Sequence, residues 1–247
     1  MSKGIIICLC DLTGIMAAPW VEAGYEAILV DPQHSEPVSR DGLITRVGQI
    51  IDHPVTWFVL RDAIMSGSVV FVAGFPPCTD VAVSGAAHFE RKREIDPHFQ
   101  AKAALVAEQC RIVGNLSGAP WFFENPVSVF SSIFGRPDHV FNPFEYGGYL
   151  PDNDEHPQYP ELIAPRDAYP KKTCLWTGNG FVMPERRPVE WAGGYAAQHS
   201  KLGGKSERTK NIRSATPRGF ARAVFIANAP HLRNANDNEP STGEAVA

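Results

Sequence analysis

Short apolar runs alternate along the chain with longer segments in which apolar residues recur at helical spacing. The runs with the composition of buried strands are residues 5–9, 27–30, 56–60, 68–73, 120–123 and 171–176. The segments with helical spacing are residues 15–23, 43–51, 99–116 and 216–227. Because strands and helices alternate, we predict an α/β fold with a mostly parallel sheet and helices on both of its faces.

Two segments lack this alternation. Residues 127–170 are rich in proline, glycine, aromatic and acidic side chains, which predicts a long loop excursion over the functional site rather than a second domain. Residues 231–247 are polar and contain few apolar side chains, which predicts a disordered tail. We therefore predict a single domain over residues 1–230.

The composition is that of an ordinary soluble protein, with 44% hydrophobic and 20% charged residues among 247. No apolar run is long enough to span a bilayer, and the N-terminus lacks a signal-peptide pattern, so we expect a cytoplasmic protein without membrane contact. The five cysteines form no Cys-x-x-Cys pair and no ligand cluster with histidine, and we expect neither metal nor disulfide. The formal net charge of -4 does not by itself indicate a nucleic-acid-binding protein.

The candidate nucleophile follows the strand predicted at residues 68–73. Gly74 breaks this strand, and Pro76 and Pro77 stop it because proline cannot continue a ladder of hydrogen bonds. Cys78 comes next and would stand at the sheet edge where open α/β proteins bind their ligands. The polar residues after it favour a nucleophile over the alternative, a buried cysteine that serves as a small apolar side chain.

Acidic residues follow three of the predicted strands. Asp11 and Asp31 lie 20 positions apart in a strand-turn-helix-strand unit, an arrangement suited to a nucleotide-type cofactor whose ribose hydroxyls donate to a carboxylate. The chain lacks G-x-G-x-x-G, which disfavours a pyrophosphate but allows an adenosyl cofactor without phosphates. Asp62 could line the same edge or cap the next turn. The alternative for all three is a plain βαβ unit with solvent-exposed acids.

The strand at residues 120–123 ends at Glu124, Asn125 and Pro126. A neighbouring parallel strand would place Glu124 beside Cys78. A thiolate and a glutamate that carries a proton suit attack on an electron-poor ring followed by proton donation. Taken alone, Glu124 could equally be a salt-bridged acid at a strand end.

Positive charge is concentrated near the C-terminus. The stretch from Lys201 to Arg222 contains one acidic residue, Glu207, and seven basic residues: Lys201, Lys205, Arg208, Lys210, Arg213, Arg218 and Arg222. Such a stretch is suited to phosphate groups, or is a solvated basic loop. Thr216 and Pro217 then have the types expected for the N-cap and the first residue of the last helix.

These motifs, in this order, resemble the cytosine-C5 DNA methyltransferases, and most closely the small phage-type and prophage-type members. The resemblance covers residues 5–227 and includes Pro77-Cys78, Glu124-Asn125 and the segment that begins at Thr216. It implies a Rossmann-like fold, S-adenosylmethionine as cofactor and duplex DNA with a flipped cytosine as substrate. Cys78 would add to C6 of cytosine, Glu124 would interact with ring N3, and C5 would take the methyl group.

The resemblance also implies roles for other residues. The cofactor would lie along Asp11, Leu12, Thr13, Gly14 and Ile15, with Asp31 on the ribose, Asp62 near the adenine, and Pro77 and Thr216 close by. Ser84, Asn125, Lys172 and Arg213 would contact the substrate, with Lys171 or Lys172 standing in for the family's arginine motif. Residues 79–85 are the candidate lid. The thiol would need a pKa lowered by a cation or a helix N-terminus.

Two features of the chain depart from the family. Glu-Asn-Pro replaces the usual Glu-Asn-Val, and the region between Trp176 and Arg213 is too short for the usual target-recognition domain. The excursion or a separate specificity protein would then select the target. Two alternatives therefore stay open: methylation of RNA or of a free pyrimidine nucleotide, and a catalytically silent DNA-binding protein of the same fold.

Overall fold

The computed structural model describes residues 3–191, 193–194, 196–203 and 206–232, and eight strands form one mixed sheet in that part of the chain. The strands are β1 (Ile5–Leu9), β2 (Glu26–Val30), β3 (Ser39–Asp41), β4 (Ile44–Val47), β5 (Val69–Gly74), β6 (Trp121–Pro126), β7 (His139–Phe141) and β8 (Thr173–Gly178). Their order is β3-β4-β2-β1-β5-β6-β8-β7. The five strands from β4 to β6 in this order run parallel to one another, and β3 and β8 run antiparallel to their neighbours.

Helices cover both faces of this sheet. They are α1 (Ala18–Glu22), α2 (Pro54–Met65), α3 (Phe89–Ile95), α4 (Phe99–Ser117), α5 (Phe130–Ile133), α6 (Ala197–Ser200), α7 (Glu207–Ser214) and α8 (Arg218–Asn228). Successive residues of β1 point to opposite faces. Ile7 belongs to the apolar cluster that includes α2 and α4, and Ile6 belongs to the cluster that includes α1 and α8. The predicted α/β class and mostly parallel sheet are confirmed.

The predictions for residues 43–60 are wrong, because helix and strand are exchanged. Residues 44–47 form β4, which pairs with β3 across a turn where Gly42 has a φ of 56°. Residues 56–60 lie inside α2, where Pro54 occupies the first turn and the His53 ring accepts a hydrogen bond from Val55 N at 3.2 Å. These N-terminal signals outweigh the strand propensity of the aromatic and β-branched run.

Three other boundaries differ from the predictions. Residues 127–170 are more than a loop excursion, since they contain α5 and the edge strand β7. The first helix is shorter than predicted and begins at Ala18, with Pro19 in its first turn rather than at a break. The last helix begins at Arg218, and its N-cap is Pro217 rather than Thr216. The predicted disordered tail falls largely on residues 233–247, which lie outside the described residues.

The C-terminal end of β5 is packed directly against α4. A Cβ atom at Gly74 would lie 2.7 Å from Cβ of Cys110 and 3.2 Å from Cβ of Phe123, so this position has no room for a side chain. Cys110 is buried in the core, as its place on the apolar stripe predicted. This close contact fixes the strand end from which the segment bearing Cys78 departs.

Among the residues described, no helix is both long and apolar enough to cross a membrane.

Candidate active site

The carboxyl ends of β1, β2, β5 and β6 meet at one edge of the sheet because these strands are parallel. Cys78 lies four residues beyond the end of β5, after the buried Pro76 and the exposed Pro77. The buried Asn125 of β6 donates a hydrogen bond from Nδ2 to the Pro76 carbonyl at 2.9 Å. Asn125 therefore holds the Cys78 turn through Nδ2, and its Oδ1 has no hydrogen-bond partner among the described residues. Its contact with substrate stays a prediction.

The Cys78 thiol is half-buried, and its backbone is held by the turn that follows. The Cys78 carbonyl accepts hydrogen bonds from Val81 N and Ala82 N at 3.1 and 2.9 Å. Burial raises the pKa of the thiol, and the nearby Glu124 raises it further, while Lys171 lowers it. The expectation of a lowered pKa is wrong, because burial and a neighbouring carboxylate outweigh one cation.

Glu124 stands beside Cys78 with part of its carboxylate unsatisfied. Its Oε2 is buried and has no hydrogen-bond partner among the residues described. Burial raises the pKa of this carboxyl, and Lys171 opposes the rise. A carboxyl group of this kind holds a proton to higher pH than an exposed glutamate, which suits a group that donates a proton.

The side chains around Glu124 line a partly open cavity of about 10 Å³, roughly the space that one water molecule needs. Residues from β6, β7, β8 and α8 and from the segments beside them contribute to its wall, among them Phe75, Glu124, Phe141, Lys171, Thr216 and Phe220. Thr216, a predicted site residue, is buried here. An apolar wall with one acid, one cation and the hydroxyls of Thr173 and Thr216 is suited to a flat ring with polar edges.

Of the two lysines named in the sequence analysis, Lys171 lines this cavity, and the substrate contact of Lys172 stays a prediction. Lys171 lines the cavity and acts on the pKa values of both Cys78 and Glu124. Lys172 is exposed, and its charge acts on Cys174. Cys174 belongs to the apolar cluster on the α2 and α4 face of the sheet, as its alternation with Trp176 predicted.

Asp11 organises the turn after β1. Its Oδ1 accepts hydrogen bonds from Thr13 N at 2.8 Å, Gly14 N at 2.9 Å and Thr13 Oγ1 at 3.0 Å. Gly14 has a φ of 68°. The other carboxylate oxygen, Oδ2, is buried and has no partner among the residues described, and burial raises the pKa of the group. Leu12 and Ile15, which flank this turn, are half-buried.

Asp31 lies at the neighbouring end of β2, and Asp62 does not share this edge. Asp31 is buried and accepts a hydrogen bond on Oδ1 from Gln33 N at 2.9 Å. Its pKa is raised by burial, and its charge contributes to the raised pKa of Asp11, so the two carboxylates are close. Asp62 is instead exposed on α2 and forms an ion pair with Arg61 at 2.9 Å. The prediction that it follows a strand is wrong.

The strand β4 ends at the edge of the sheet where Asp62 was predicted to lie. Because β4 is parallel to β2, its carboxyl end lies at the same edge, and Gln49 and Ile50 follow it after Gly48. The Ile50 side chain is 54% exposed there. Sequence reasoning missed this pair because it assigned residues 43–51 to a helix.

The basic stretch does not form one phosphate-binding face. Arg213, a predicted substrate contact, donates hydrogen bonds to the carbonyl oxygens of Gln198 and Leu202. Arg218 forms two hydrogen bonds with the buried Asp154 at 2.8 and 2.6 Å, and Arg222 lies 3.6 Å from a Glu22 oxygen. Lys205 lies outside the described residues. Some cations of the stretch therefore bind other groups of the protein, whereas Arg208 and Lys210 on α7 are exposed.

The candidate lid is attached to the body of the protein in this structure. Val81 is buried, and Ala82 forms an isolated bridge with Ser128. Lys92 donates hydrogen bonds at 2.7 Å to the Thr79 carbonyl and to Asp80 Oδ1. Ser84, predicted to contact substrate, is exposed on the same segment. Its role and that of the lid stay predictions.

Comparison with protein-family models and with curated proteins finds no match to this chain. Within the described residues, no group of three or more histidine, cysteine, aspartate or glutamate side chains is arranged to hold a metal ion.

Proposed function

We propose that the chain is a cytosine-C5 methyltransferase with the Rossmann-like fold of S-adenosylmethionine-dependent enzymes, and that it acts on duplex DNA. The observation that carries this proposal is the pair formed by Cys78 and Glu124. A half-buried thiol and a glutamate with an unpartnered oxygen stand at the ends of adjacent parallel strands, with Lys171 beside both. A protein that only binds DNA needs neither group.

The residues at the ends of β1 and β2 fit an adenosyl cofactor. The unpartnered Asp11 Oδ2 is an acceptor suited to an ammonium group or a hydroxyl, and the buried Asp31 carboxylate is suited to ribose hydroxyls. S-adenosylmethionine carries donors of both kinds, and when bound it supplies an electrophilic methyl group. Asp11, Thr13 and Gly14 would hold the amino-acid end, and Asp31, Gln49 and Ile50 the nucleoside end.

Cys78 and Glu124 would activate the cytosine ring. The Cys78 sulfur forms a bond to C6 while a proton from Glu124 goes to N3, and the ring becomes an enamine whose C5 is nucleophilic. C5 would then take the methyl group, with S-adenosylhomocysteine as the leaving group. A water molecule would take the C5 proton, the C5–H electron pair would restore the C5–C6 double bond as the Cys78 thiolate leaves C6, and the N3 proton would return to Glu124. Lys171 would stabilise negative charge on the sulfur during these steps.

The raised pKa values of the two groups are compatible with this chemistry. The pair can hold one proton in two ways: on the Cys78 thiol with Glu124 ionised, or on the Glu124 carboxyl group with Cys78 as the thiolate. Proton transfer from Cys78 to Glu124 therefore produces the reactive pair at neutral pH without a net change of charge. A buried, protonated Glu124 also removes the negative charge that raises the pKa of Cys78.

The base would enter the site only after movement of the protein. A cavity of about 10 Å³ holds roughly one water molecule and no pyrimidine ring. The lid at residues 79–85 and the side chains of Phe75 and Phe220 would have to separate. A cytosine inside a duplex would have to flip out of the base stack.

The test of this function is transfer of a labelled methyl group. We expect the protein to transfer tritium from S-adenosyl-[methyl-³H]methionine to duplex DNA more efficiently than to RNA or dCMP. Duplex DNA that contains 5-fluorocytosine should form an adduct stable in SDS, because fluorine cannot leave as a proton. If only RNA or dCMP is labelled, that molecule is the substrate and DNA is not. Cofactor binding without any labelled product would favour a catalytically silent DNA-binding protein.

Asp11 provides a prediction for the cofactor site. Asp11→Asn retains one carbonyl oxygen for the Thr13 and Gly14 amides but removes the charge, so we expect affinity for S-adenosylmethionine to fall about 10- to 100-fold. Isothermal titration calorimetry measures this change. The matched control is Asp62→Asn, which alters an exposed carboxylate on α2 and should leave affinity unchanged. Equal affinities for both variants and the wild type would contradict the placement of the cofactor.

A further inference from the structure

Cys10 has a backbone conformation that cysteine rarely adopts. It follows β1 directly and has a φ of 56°, in the left-handed region that favours glycine. Alternation along β1 would send its side chain to the α1 and α8 face of the sheet, with Ile6 and Cys8. Cys10 instead packs against the apolar cluster on the α2 and α4 face. A strained residue of this kind persists only where the surrounding structure holds it, and such residues are common at functional sites.

The cluster that Cys10 joins contains a second thiol, Cys110 of α4. Leu9 is paired with Gly74 across β1 and β5, and Phe75 N donates a hydrogen bond to the Leu9 carbonyl at 2.9 Å. The Cys110 sulfur lies against the same Gly74, since a Cβ atom at this glycine would be 2.8 Å from it. The peptide between Leu9 and Cys10 and the sulfur of Cys110 therefore meet at one point of the sheet.

The two thiols interact directly with each other. Cys10 and Cys110 are free cysteines that share a side-chain hydrogen bond, and this bond together with burial raises the pKa of Cys10. Cys10 is partly exposed, whereas Cys110 is buried. A reagent from solvent therefore reaches Cys10 first, and Cys110 reacts only through Cys10. Sequence reasoning could not pair these residues, because they belong to segments far apart in the chain.

We propose that Cys10 and Cys110 are a redox-sensitive pair, which forms a disulfide by exchange with a low-molecular-weight disulfide and thereby moves the adjoining turn of Asp11. The Cys10 thiolate attacks one sulfur of the reagent and expels one thiolate, which leaves a mixed disulfide at Cys10. The Cys110 sulfur, once deprotonated, attacks the Cys10 sulfur and expels the second thiolate. The protein gives up two electrons and two protons, and the reagent is reduced to two thiols.

The turn after β1 is the part of the molecule that this bond would move. Asp11 comes directly after Cys10, and its Oδ1 accepts hydrogen bonds from the amides of Thr13 and Gly14. A covalent bond brings two sulfur atoms closer together than a hydrogen bond does. Because α4 is packed along the sheet over its length, the short turn has to shift, and both amide hydrogen bonds should weaken. One further consequence rests on the function proposed above: affinity for S-adenosylmethionine should fall about 10-fold.

The experiment uses the full chain with Cys78→Ala, so that the candidate nucleophile does not react with the reagent. The protein is incubated with oxidised glutathione, quenched with acid, digested and analysed by mass spectrometry. We expect the peptides that contain Cys10 and Cys110 to be joined with the loss of two hydrogen atoms, and dithiothreitol to separate them. Because the pKa of Cys10 is raised, the rate should increase about tenfold per pH unit between about pH 7 and 9.

Hydrogen exchange measured by NMR reports on the turn, and calorimetry reports on the cofactor. The amides of Thr13 and Gly14 should exchange about 10-fold faster in the oxidised protein than in the reduced protein. Cys10→Gly removes the pair at a φ that glycine adopts freely, so this variant should fold and should not respond to the reagent. The matched control is Cys174→Ala, which removes a different thiol of the same cluster and should respond as the parent protein does.

Three results would overturn the inference. The first is the absence of the joined peptide at every pH, and the second is equal exchange of both amides in the oxidised and reduced proteins. The third is glutathione that stays on Cys10 as a mixed disulfide, because Cys110 would then be out of reach. If the reduced protein does not bind S-adenosylmethionine at all, the proposed function fails, while the joined peptide and the faster exchange still support the redox pair.

Discussion

Replacement of Cys78 by alanine should lower kcat for methyl transfer by about 10⁴-fold or more, because no other group can form the bond to C6. The turn should keep its shape, since Asn125 holds the Pro76 carbonyl and Val81 N and Ala82 N bind the backbone carbonyl of residue 78. Affinity for S-adenosylmethionine should therefore be unchanged. Rapid-quench kinetics with labelled cofactor measures the chemical step, and calorimetry measures binding.

The matched control for this variant is Cys174→Ala. Cys174 packs in the apolar core on the α2 and α4 face and belongs to no part of the proposed chemistry. Its removal leaves a small cavity that lowers stability slightly, while kcat of the folded protein should stay at the wild-type value. Methyl transfer by Cys78→Ala at more than about a hundredth of the wild-type rate would show that the sulfur is not the nucleophile.

Replacement of Glu124 by glutamine should lower kcat by about 10²- to 10⁴-fold, because an amide cannot deliver a proton to N3. The pH dependence should change with it. In the wild type, kcat/KM should be bell-shaped, with the acid limb above the ordinary glutamate pKa because burial raises the pKa of Glu124. In Glu124→Gln the alkaline limb should disappear, and a single rise of residual activity with pH should remain as the Cys78 thiol ionises.

Stability should move in the opposite direction from activity in this variant. Because burial raises the pKa of Glu124, the folded state retains a proton that the unfolded chain has released, and stability falls as pH rises from 4.5 through the raised pKa. Glutamine cannot ionise, so above that pKa Glu124→Gln should unfold at a higher urea concentration than the wild type. Glu90→Gln, at an exposed position on α3, should change neither property. A variant both inactive and less stable at alkaline pH would contradict this account of Glu124.

The buried position of Glu124 thus lowers the free energy of unfolding but suits the proposed proton donation. A buried carboxyl group with an unpartnered oxygen destabilises the fold when it is ionised. The same burial raises the pKa of Glu124, so that this carboxyl holds its proton to higher pH than an exposed glutamate does. Cys78 experiences a related compromise, because burial and Glu124 oppose its ionisation while Lys171 favours it. The proposed chemistry therefore depends on proton exchange between Cys78 and Glu124 rather than on a preformed thiolate.

Much of the candidate site follows from local sequence patterns. Cys78, Glu124, Asp11 and Asp31 were located because each follows an apolar run that ends at a turn residue, and such runs form the central strands of an α/β sheet. Parallel strands bring their carboxyl ends to one edge, so the four residues gather there by topology alone. The exchange of helix and strand at residues 43–60 shows where this reasoning fails: both segments are short and apolar, and cap residues decided between them.

By contrast, only the tertiary structure decided which of two adjacent side chains faces the site and which groups are buried. Which of two adjacent lysines faces Glu124 depends on where β8 begins, and a shift of one residue would have exchanged Lys171 and Lys172. The partners of Arg213, the raised pKa of Cys78 and the unpartnered Oε2 of Glu124 depend on segments far apart in the chain. The sequence by itself determined which groups reach the edge of the sheet, because strand ends are local; only packing decided which charges and hydrogen bonds surround them, because these come from long-range contacts.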